Sequence, residues 1–261
     1  MVDGVSGLEV LTFVLRVAPA VVPLAATLLA IIVWYRLLFV GRVLRARGQA
    51  RLALYSDFAV VSWGFVGAFF LLGWIGWKLG GDEPPSFTLW KLRLTTPIEA
   101  AALIGATALL TVGYFAVAAV SGLVSRFFGE KESAYALALR PQTALERFVW
   151  VGAMSPTAGF CEEIIFRGVG LSVAFTLGAD AVIAVAVTSV LFALGHAVYG
   201  LTWTVGTFVL GAASAVVVLW TGSLWPAIVA HTLYDMTVYY VFEAGEAPKP
   251  GEPVPEPAGQ A

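Results

Sequence analysis

Residues 98–124, IEAAALIGATALLTVGYFAVAAVSGLV, form an apolar run with one charged side chain, Glu99. An α-helix rises about 1.5 Å per residue, so about 20 apolar residues cross the roughly 30 Å hydrocarbon core of a bilayer. This stretch therefore predicts a transmembrane helix. Similar runs occur at residues 10–39, 53–77, 148–166, 169–177, 181–197, 202–220 and 224–242. Together they predict an all-α, polytopic integral membrane bundle of about eight transmembrane helices, although 169–177 is too short to cross alone.

The composition agrees with a location in lipid. The 261 residues are 59% hydrophobic and 12% charged, whereas a soluble domain carries about 25% charged residues. The formal net charge of -2 gives no field that would attract nucleic acid. The single cysteine, Cys161, excludes an internal disulfide framework and any CxxC motif. No feature of the sequence indicates an oligomeric state.

The distribution of charge predicts three regions and an orientation. Residues 1–141 hold the first three spans and are expected to be scaffold helices with cytoplasmic loops, whereas 142–243 are expected to carry the chemistry. Residues 244–261 are rich in Pro, Gly and Glu and are expected to be disordered. Lys and Arg collect in cytoplasmic loops, which places the N-terminus outside the cell membrane. The basic residues of the two predicted cytoplasmic loops are Arg36, Arg42, Arg45, Arg47 and Arg51, and Arg126, Lys131, Arg140 and Arg147.

Ionisable residues are rare in the second half of the chain and lie within apolar runs. Both histidines of the protein lie there, with a few charged side chains between residues 148 and 242. An ionisable group inside a membrane span costs about 2.5 to 3.5 kcal/mol on insertion scales and usually faces a cavity or the bundle interior. These groups therefore predict a functional site. They are Glu162, Glu163, Arg167, Asp180, His196, His231 and Asp235.

The spacing of these residues predicts which of them share a helical face. Residues four apart on a helix are neighbours, and three such pairs occur: Glu163 with Arg167, Phe192 with His196, and His231 with Asp235. The first pair predicts a buried ion pair. Glu162 is rotated about 100° from Glu163, so its carboxylate is expected to be available for chemistry.

Three kinds of chemistry fit these residue types. A desolvated glutamate can act as a general base toward water while histidines stabilise an oxyanion. Glutamate and histidine are also zinc ligands, although no HExxH motif is present. Buried carboxylates and histidines can also relay protons or ions, but the first three spans offer almost no buried charge for a path across the membrane. A serine or cysteine nucleophile is not favoured, because there is no GxSxG motif and Cys161 lies beside two carboxylates.

Three motifs in order resemble a known family. They are Glu162-Glu163-xxx-Arg167, Phe192-xxx-His196 and His231-xxx-Asp235, and they are similar to the signature of the CPBP family of CAAX proteases and bacteriocin-processing enzymes, also called Abi. The resemblance covers about residues 142–242. It implies an all-helical intramembrane endopeptidase that hydrolyses a peptide bond of a membrane-associated substrate, in CAAX-type or in leader- or sorting-peptide processing. The CAAX-processing members remove the last three residues of prenylated proteins.

The resemblance also implies a role for each motif residue. Glu162 with His196 would activate the hydrolytic water, and His231 with Asp235 would hold or polarise the substrate carbonyl. Glu163 and Arg167 would pair to fix the helix, and Phe192 would pack the cavity wall. The last motif position is often Asn in the eukaryotic CAAX enzymes, whereas an ionised Asp235 cannot donate a hydrogen bond. Orientation of His231 is therefore the favoured role of Asp235.

We expect no cofactor, because a third histidine and an HExxH motif are missing. A zinc ion held by Glu162, His196 and His231 is the alternative. The expected partners are membrane lipid and a peptide or lipidated protein substrate, with no nucleic acid. A non-proteolytic membrane immunity or scaffold protein is the alternative function, because related sequences are linked to bacteriocin self-immunity.

Overall fold

The computed structural model describes residue 43 and residues 51–80, 97–131 and 133–241. The α-helices of these ranges are α1 (Arg51–Gly80), α2 (Pro97–Phe127), α3 (Ala134–Leu139), α4 (Ala144–Val149), α5 (Ser155–Glu163), α6 (Leu171–Thr176), α7 (Ala181–Gly195), α8 (Leu201–Thr221) and α9 (Trp225–Val241). No strand occurs in this part of the chain, so the all-α prediction is confirmed for it. The predicted span at 10–39 and the predicted disordered tail at 244–261 lie outside the described residues.

Helices α4, α5 and α6 form one continuous helical run from residue 144 to residue 176. Wider π-helical turns at Trp150–Met154 and Ile164–Gly170 join them, and Gly170 and Leu171 keep right-handed helical dihedral angles. The prediction of separate spans at 148–166 and 169–177 is therefore wrong. No proline or capping side chain interrupts this junction, and the charge of Arg167 is compensated inside the helix by Glu163. The predicted count of about eight spans is not confirmed.

Polar and glycine residues set the ends of several helices. The side chain of Asp180 accepts a hydrogen bond of 2.9 Å from the backbone N–H of Ile183 and caps α7. Thr143 and Glu146 form a capping box at the start of α4. Helix α8 ends at Gly222, whose φ of 65° is a left-handed conformation that glycine adopts without a steric penalty. Asp180 thus has a structural role at a helix end.

The packing of α9 against α5 brings the first and last motifs together. Helix α9 contacts α2 and α5, while α8 contacts α7 and α2. A Cβ atom at Gly159 of α5 would lie 2.9 Å from the backbone nitrogen of Thr232 and 3.0 Å from the carbonyl oxygen of Ile228. A side chain at this position would push the helices apart, so the glycine permits the close approach.

The outer surfaces of two helices are apolar and exposed. Within the described residues, Glu99–Phe127 and Leu201–Thr221 are long and apolar enough to cross a bilayer, with mean hydropathies of 2.0 and 1.8. Only 22% and 33% of their most apolar windows are buried, whereas the core helix of a soluble protein would be mostly buried. Ile104 and Leu109 on α2 and Val205 and Val216 on α8 are among the exposed side chains. Such surfaces suit contact with lipid.

Candidate active site

Two adjacent carboxylates end helix α5 and point in different directions. Glu162 and Glu163 are the last residues of the helix, and the π-helical turn Ile164–Gly170 follows them. Such turns often occur at functional sites. The side chain of Glu163 is fully buried, whereas that of Glu162 is 21% exposed. The Glu163 carboxylate is therefore enclosed in the protein core, whereas the Glu162 side chain is partly exposed and its Oε2 is buried without a hydrogen-bond partner.

Glu163 binds two cationic or potentially cationic side chains through one oxygen. Its Oε1 accepts from Nη1 of Arg167 at 3.2 Å and from Nδ1 of His231 at 2.9 Å. The predicted ion pair with Arg167 is present. The bond to His231 was not predicted, because the two residues are 68 positions apart and no local spacing rule connects them.

Both histidines turn the same ring nitrogen toward Glu162. Nε2 of His196 and Nε2 of His231 each lie 3.9 Å from Oε2 of Glu162. The opposite nitrogen of His196, Nδ1, is 2.9 Å from the carbonyl oxygen of Phe192. Carbonyl and carboxylate oxygens only accept, so Nδ1 is the donor in each ring. These bonds orient the two Nε2 atoms toward one carboxylate oxygen.

Asp235 lies near His231 but is not its closest carboxylate. Its Oδ2 is 3.5 Å from Nε2 of His231, whereas Glu163 contacts Nδ1 of the same ring at 2.9 Å. The backbone carbonyl of Asp235 accepts a hydrogen bond of 2.8 Å from Nε1 of Trp150. The predicted pairing on one face of α9 is present, and Trp150 is a supporting contact that the sequence did not indicate.

The ring of Phe192 lies between Arg167 and the histidines. The guanidinium carbon of Arg167 is 4.1 Å from the centroid of this ring, within the range of a cation–π contact. The same centroid is 4.6 Å from that of the His196 ring and 5.9 Å from that of the His231 ring. Phe192 packs in the wall of the site at the position that the sequence predicted.

A cavity of about 280 Å³ connects this cluster with the end of α2. Glu162, His196, His231 and Asp235 line one part of it, and its lining continues to Arg126, which is exposed. Aromatic rings form much of the remaining wall. They belong to Phe58, Tyr114, Tyr135, Trp150, Phe192, Tyr199, Trp203 and Tyr234.

The side chains of the cluster are farther apart than the ligands of a bound zinc ion. Among the described residues, no group of three or more His, Cys, Asp or Glu side chains is arranged to hold a metal ion. Nitrogen and oxygen ligands of a tetrahedral zinc lie about 2.0 to 2.1 Å from the metal and hence about 3.4 Å from one another. The separations of 3.9 Å between Glu162 and each histidine are longer.

A buried ion pair outside the apolar spans joins α1 to the start of α4. Nε of Arg51 lies 3.1 Å from Oε1 of Glu146, and Oε2 of Glu146 accepts from the backbone N–H groups of Gln142 and Thr143 at 2.7 and 2.9 Å. Burial raises the pKa of the Glu146 carboxyl, but the two backbone hydrogen bonds and the Arg51 guanidinium outweigh burial and hold that pKa below its ordinary value of 4.5.

The structure brings the residues of all three motifs to one place, from α5, the turn after α5, α7 and its C-cap, and α9. Asp180, the remaining ionisable residue of this region, instead caps the start of α7. The roles of the motif residues in a reaction stay predictions. The residues that converge are Glu162, Glu163, Arg167, Phe192, His196, His231 and Asp235.

Comparison with known proteins gives one match. Residues 144–237 match the family model described as Rce1-like, type II CAAX prenyl endopeptidase Rce1-like. The matched segment contains all three motifs. The match confirms the predicted resemblance to CAAX proteases for this segment and supports a protease-type hydrolase. Neither a curated protein nor a solved structure matches the chain.

Proposed function

We propose that the protein is an intramembrane endopeptidase, spanning the cell membrane several times, that hydrolyses a peptide bond of a membrane-associated substrate with glutamate-activated water. The observation that carries this proposal is the orientation of two histidine Nε2 atoms toward one oxygen of Glu162, each at 3.9 Å, at the wall of a cavity. A general base next to two imidazoles is suited to activate water and to stabilise the resulting oxyanion.

Glu162 and His196 are the proposed water-activating pair. A water molecule near Oε2 of Glu162 and Nε2 of His196 loses a proton to the carboxylate as its oxygen attacks the substrate carbonyl carbon. The carbon–oxygen bond forms, and the carbonyl oxygen becomes an oxyanion. When the carbon–nitrogen bond breaks, the proton on Glu162 passes to the leaving amine. The hydrogen bond from Nδ1 of His196 to the backbone carbonyl oxygen of Phe192 keeps Nε2 of His196 directed at the water.

His231 is the proposed donor to the oxyanion. Oxygen atoms of three carboxylates lie around its ring, Glu163 at 2.9 Å, Asp235 at 3.5 Å and Glu162 at 3.9 Å. Their negative charge compensates an imidazolium that donates from both nitrogens. Nδ1 is held by Glu163, so Nε2 is the atom directed at the substrate. Asp235, whose Oδ2 lies 3.5 Å from Nε2, orients the edge of the His231 ring that faces the cavity.

The substrate class follows from the cavity wall and the family. The matched family is described as prenyl endopeptidases acting on CAAX sequences, and the cavity has aromatic walls that include Trp150, Tyr199 and Trp203. Such walls favour an apolar chain. We propose a membrane-associated peptide or lipidated protein, bound in contact with membrane lipid.

Replacement of Glu162 is the central test. The probe is a farnesylated peptide that ends in a CAAX sequence and carries a fluorophore and a quencher on opposite sides of the scissile bond. We expect wild-type protein in liposomes to cleave it, and Glu162→Gln to lower kcat by about a hundredfold or more, because a general base contributes about 10² to 10⁴. Glu99→Gln, at an exposed position on α2, is the control that should retain wild-type cleavage.

Three outcomes would contradict the proposal. Wild-type cleavage that survives in Glu162→Gln would remove the role assigned to this residue. Absence of cleavage by folded wild-type protein, together with a cellular phenotype that Glu162→Gln leaves unchanged, would favour the immunity or scaffold alternative. Treatment with a chelator distinguishes the zinc variant, because glutamate-activated water needs no metal and loss of cleavage that zinc restores would contradict it.

A further inference from the structure

Gly211 of α8 lies against the buried tip of Arg167 and the edge of Phe192. A Cβ atom at Gly211 would lie 2.9 Å from Nη2 of Arg167, 3.1 Å from Cδ1 of Phe192 and 3.4 Å from Cα of Ser189. Arg167 is fully buried and Phe192 is 3% exposed. Their side chains therefore meet the backbone of α8 in a space without room for one more methyl group.

Each of the two residues that contact Gly211 is connected by hydrogen bonds to one histidine of the site. Arg167 donates through Nη1 to the same Glu163 oxygen that accepts from Nδ1 of His231. Phe192 supplies the carbonyl oxygen that contacts Nδ1 of His196, and its ring lies 4.6 Å from the imidazole centroid. A displacement at Gly211 would thus be transmitted to both imidazoles through direct contacts.

A methyl group at position 211 would move side chains rather than helices. Its closest neighbours are the end of the Arg167 side chain and a ring carbon of Phe192, whereas the backbone of Ser189 is at ordinary contact distance. The guanidinium stacks on the Phe192 ring at 4.1 Å, so the two groups would shift together, toward Glu163 and His196.

We propose that Gly211 is a positioning residue of this site: its missing side chain sets the place of the Arg167–Phe192 stack and thereby directs Nε2 of both histidines at Glu162. The inference rests on the proposed function, since it concerns the same reaction. Gly211 touches neither substrate nor reacting atoms and acts through Arg167 and Phe192. None of the three motifs contains it.

The test is Gly211→Ala measured with the farnesylated CAAX peptide in liposomes. We expect kcat to fall by about tenfold to a hundredfold, since a misplacement of about 1 Å can cost about a hundredfold. KM should change less than kcat, because most of the cavity wall, including Trp150 and Trp203, does not contact position 211. The thermal unfolding midpoint should fall modestly, because two buried side chains must shift. Gly105→Ala on α2, where a Cβ atom meets nothing within 4 Å, should keep wild-type kcat.

A double-variant comparison separates positioning from general packing. Phe192→Val removes the ring carbon that the methyl group would meet, so Gly211→Ala should cost much less kcat in that background than in wild type. An equal cost in both backgrounds, or a loss found only in KM or thermal stability, would overturn the inference. If Gly211→Ala fails to fold, the double variant is compared with Phe192→Val alone, and a further large loss of kcat there would also overturn it.

The outcomes distinguish this inference from the proposed function. Wild-type cleavage that Glu162→Gln abolishes and Gly211→Ala leaves within about twofold would overturn the role of Gly211 alone. Failure of wild-type protein to cleave the peptide would contradict the proposed function, and the inference would fall with it.

Discussion

Glu162 and Glu163 are adjacent in sequence, but the protein holds them in opposite ways. Glu163 is fully buried and its Oε1 is shared by Arg167 and His231, whereas Glu162 has imidazole nitrogens at 3.9 Å and is partly exposed. A separation of 3.9 Å is too long for a hydrogen bond. The carboxylate of Glu163 is therefore held in place by two partners, whereas the carboxylate of Glu162 is available for a reaction.

This difference predicts opposite effects of two matched substitutions. Glu163→Gln leaves the buried guanidinium of Arg167 without an opposite charge, and we expect the free energy of unfolding to fall by about 3 to 5 kcal/mol. Glu162→Gln should not lower it, because Oε2 of Glu162 is buried without a hydrogen-bond partner and its replacement removes a desolvated charge. Denaturant titration of both variants in mixed micelles measures the difference. Equal losses would show that the two carboxylates contribute alike to stability.

Local spacing predicted part of the site, and contacts between distant segments supplied the rest. The pairs Glu163 with Arg167 and His231 with Asp235 follow from helical geometry, because residues four apart share a face. The bond between Glu163 and His231 and the bond from Trp150 to Asp235 join residues 68 and 85 positions apart. These depend on how α5 and α9 pack, and no periodicity in a single helix contains that information.

At the scale of elements, the helical run from residue 144 to residue 176 differs most from the sequence prediction. The apolar runs predicted spans at 148–166 and 169–177, with Arg167 and Gly168 between them. The charge of Arg167 is compensated by Glu163 within the same run, and glycine alone costs a helix only about 1 kcal/mol. The other predicted runs that lie within the described residues correspond to helices, but hydropathy alone could not show that this boundary was missing.

The contact between α1 and α4 predicts a pH dependence of stability. The Glu146 pKa is held below its ordinary value of 4.5 in the folded protein, so its stabilising contribution is fully present above about pH 4.5 and is lost as the pH falls through the folded pKa. Wild-type protein should therefore lose more of its thermal stability below pH 4.5 than Glu146→Gln does. Thermal unfolding midpoints between pH 7 and pH 3 measure this.

Arg51→Met provides the control for that prediction. It removes the guanidinium but keeps the backbone hydrogen bonds to Glu146, so the acid-induced loss should lie between those of wild type and Glu146→Gln. An identical pH dependence of thermal stability in all three proteins would show that the Arg51–Glu146 ion pair does not contribute to it.

For the whole molecule, the direction in which the cavity opens depends on the predicted orientation. Its lining reaches Arg126 and Arg140, which belong to the loop predicted to be cytoplasmic. If that orientation holds, the substrate chain enters from the cytoplasmic side.

Cysteine labelling tests this orientation. The single native cysteine, Cys161, is 1% exposed, and Cys161→Ala gives a background without thiols. In that background Lys131→Cys should react with a membrane-impermeant maleimide only after the cells are permeabilised, whereas Asp82→Cys should react in intact cells. The reverse pattern would show that the protein has the opposite orientation.

Because π-helical turns lie on either side of α5, the effect of deleting one residue depends on where in the helical run the deletion falls. A π turn closes over one residue more than an α turn, so deletion of one residue within Trp150–Met154 can leave an unbroken α-helix. Because the wider turn absorbs that extra residue, such a deletion should leave α4 and Glu146 close to their present orientation. A deletion within α5 itself would instead rotate the preceding helix by about 100° relative to the carboxylates and move Glu146 away from Arg51. Single-residue deletions should therefore be tolerated better in the π-helical turns than in α5.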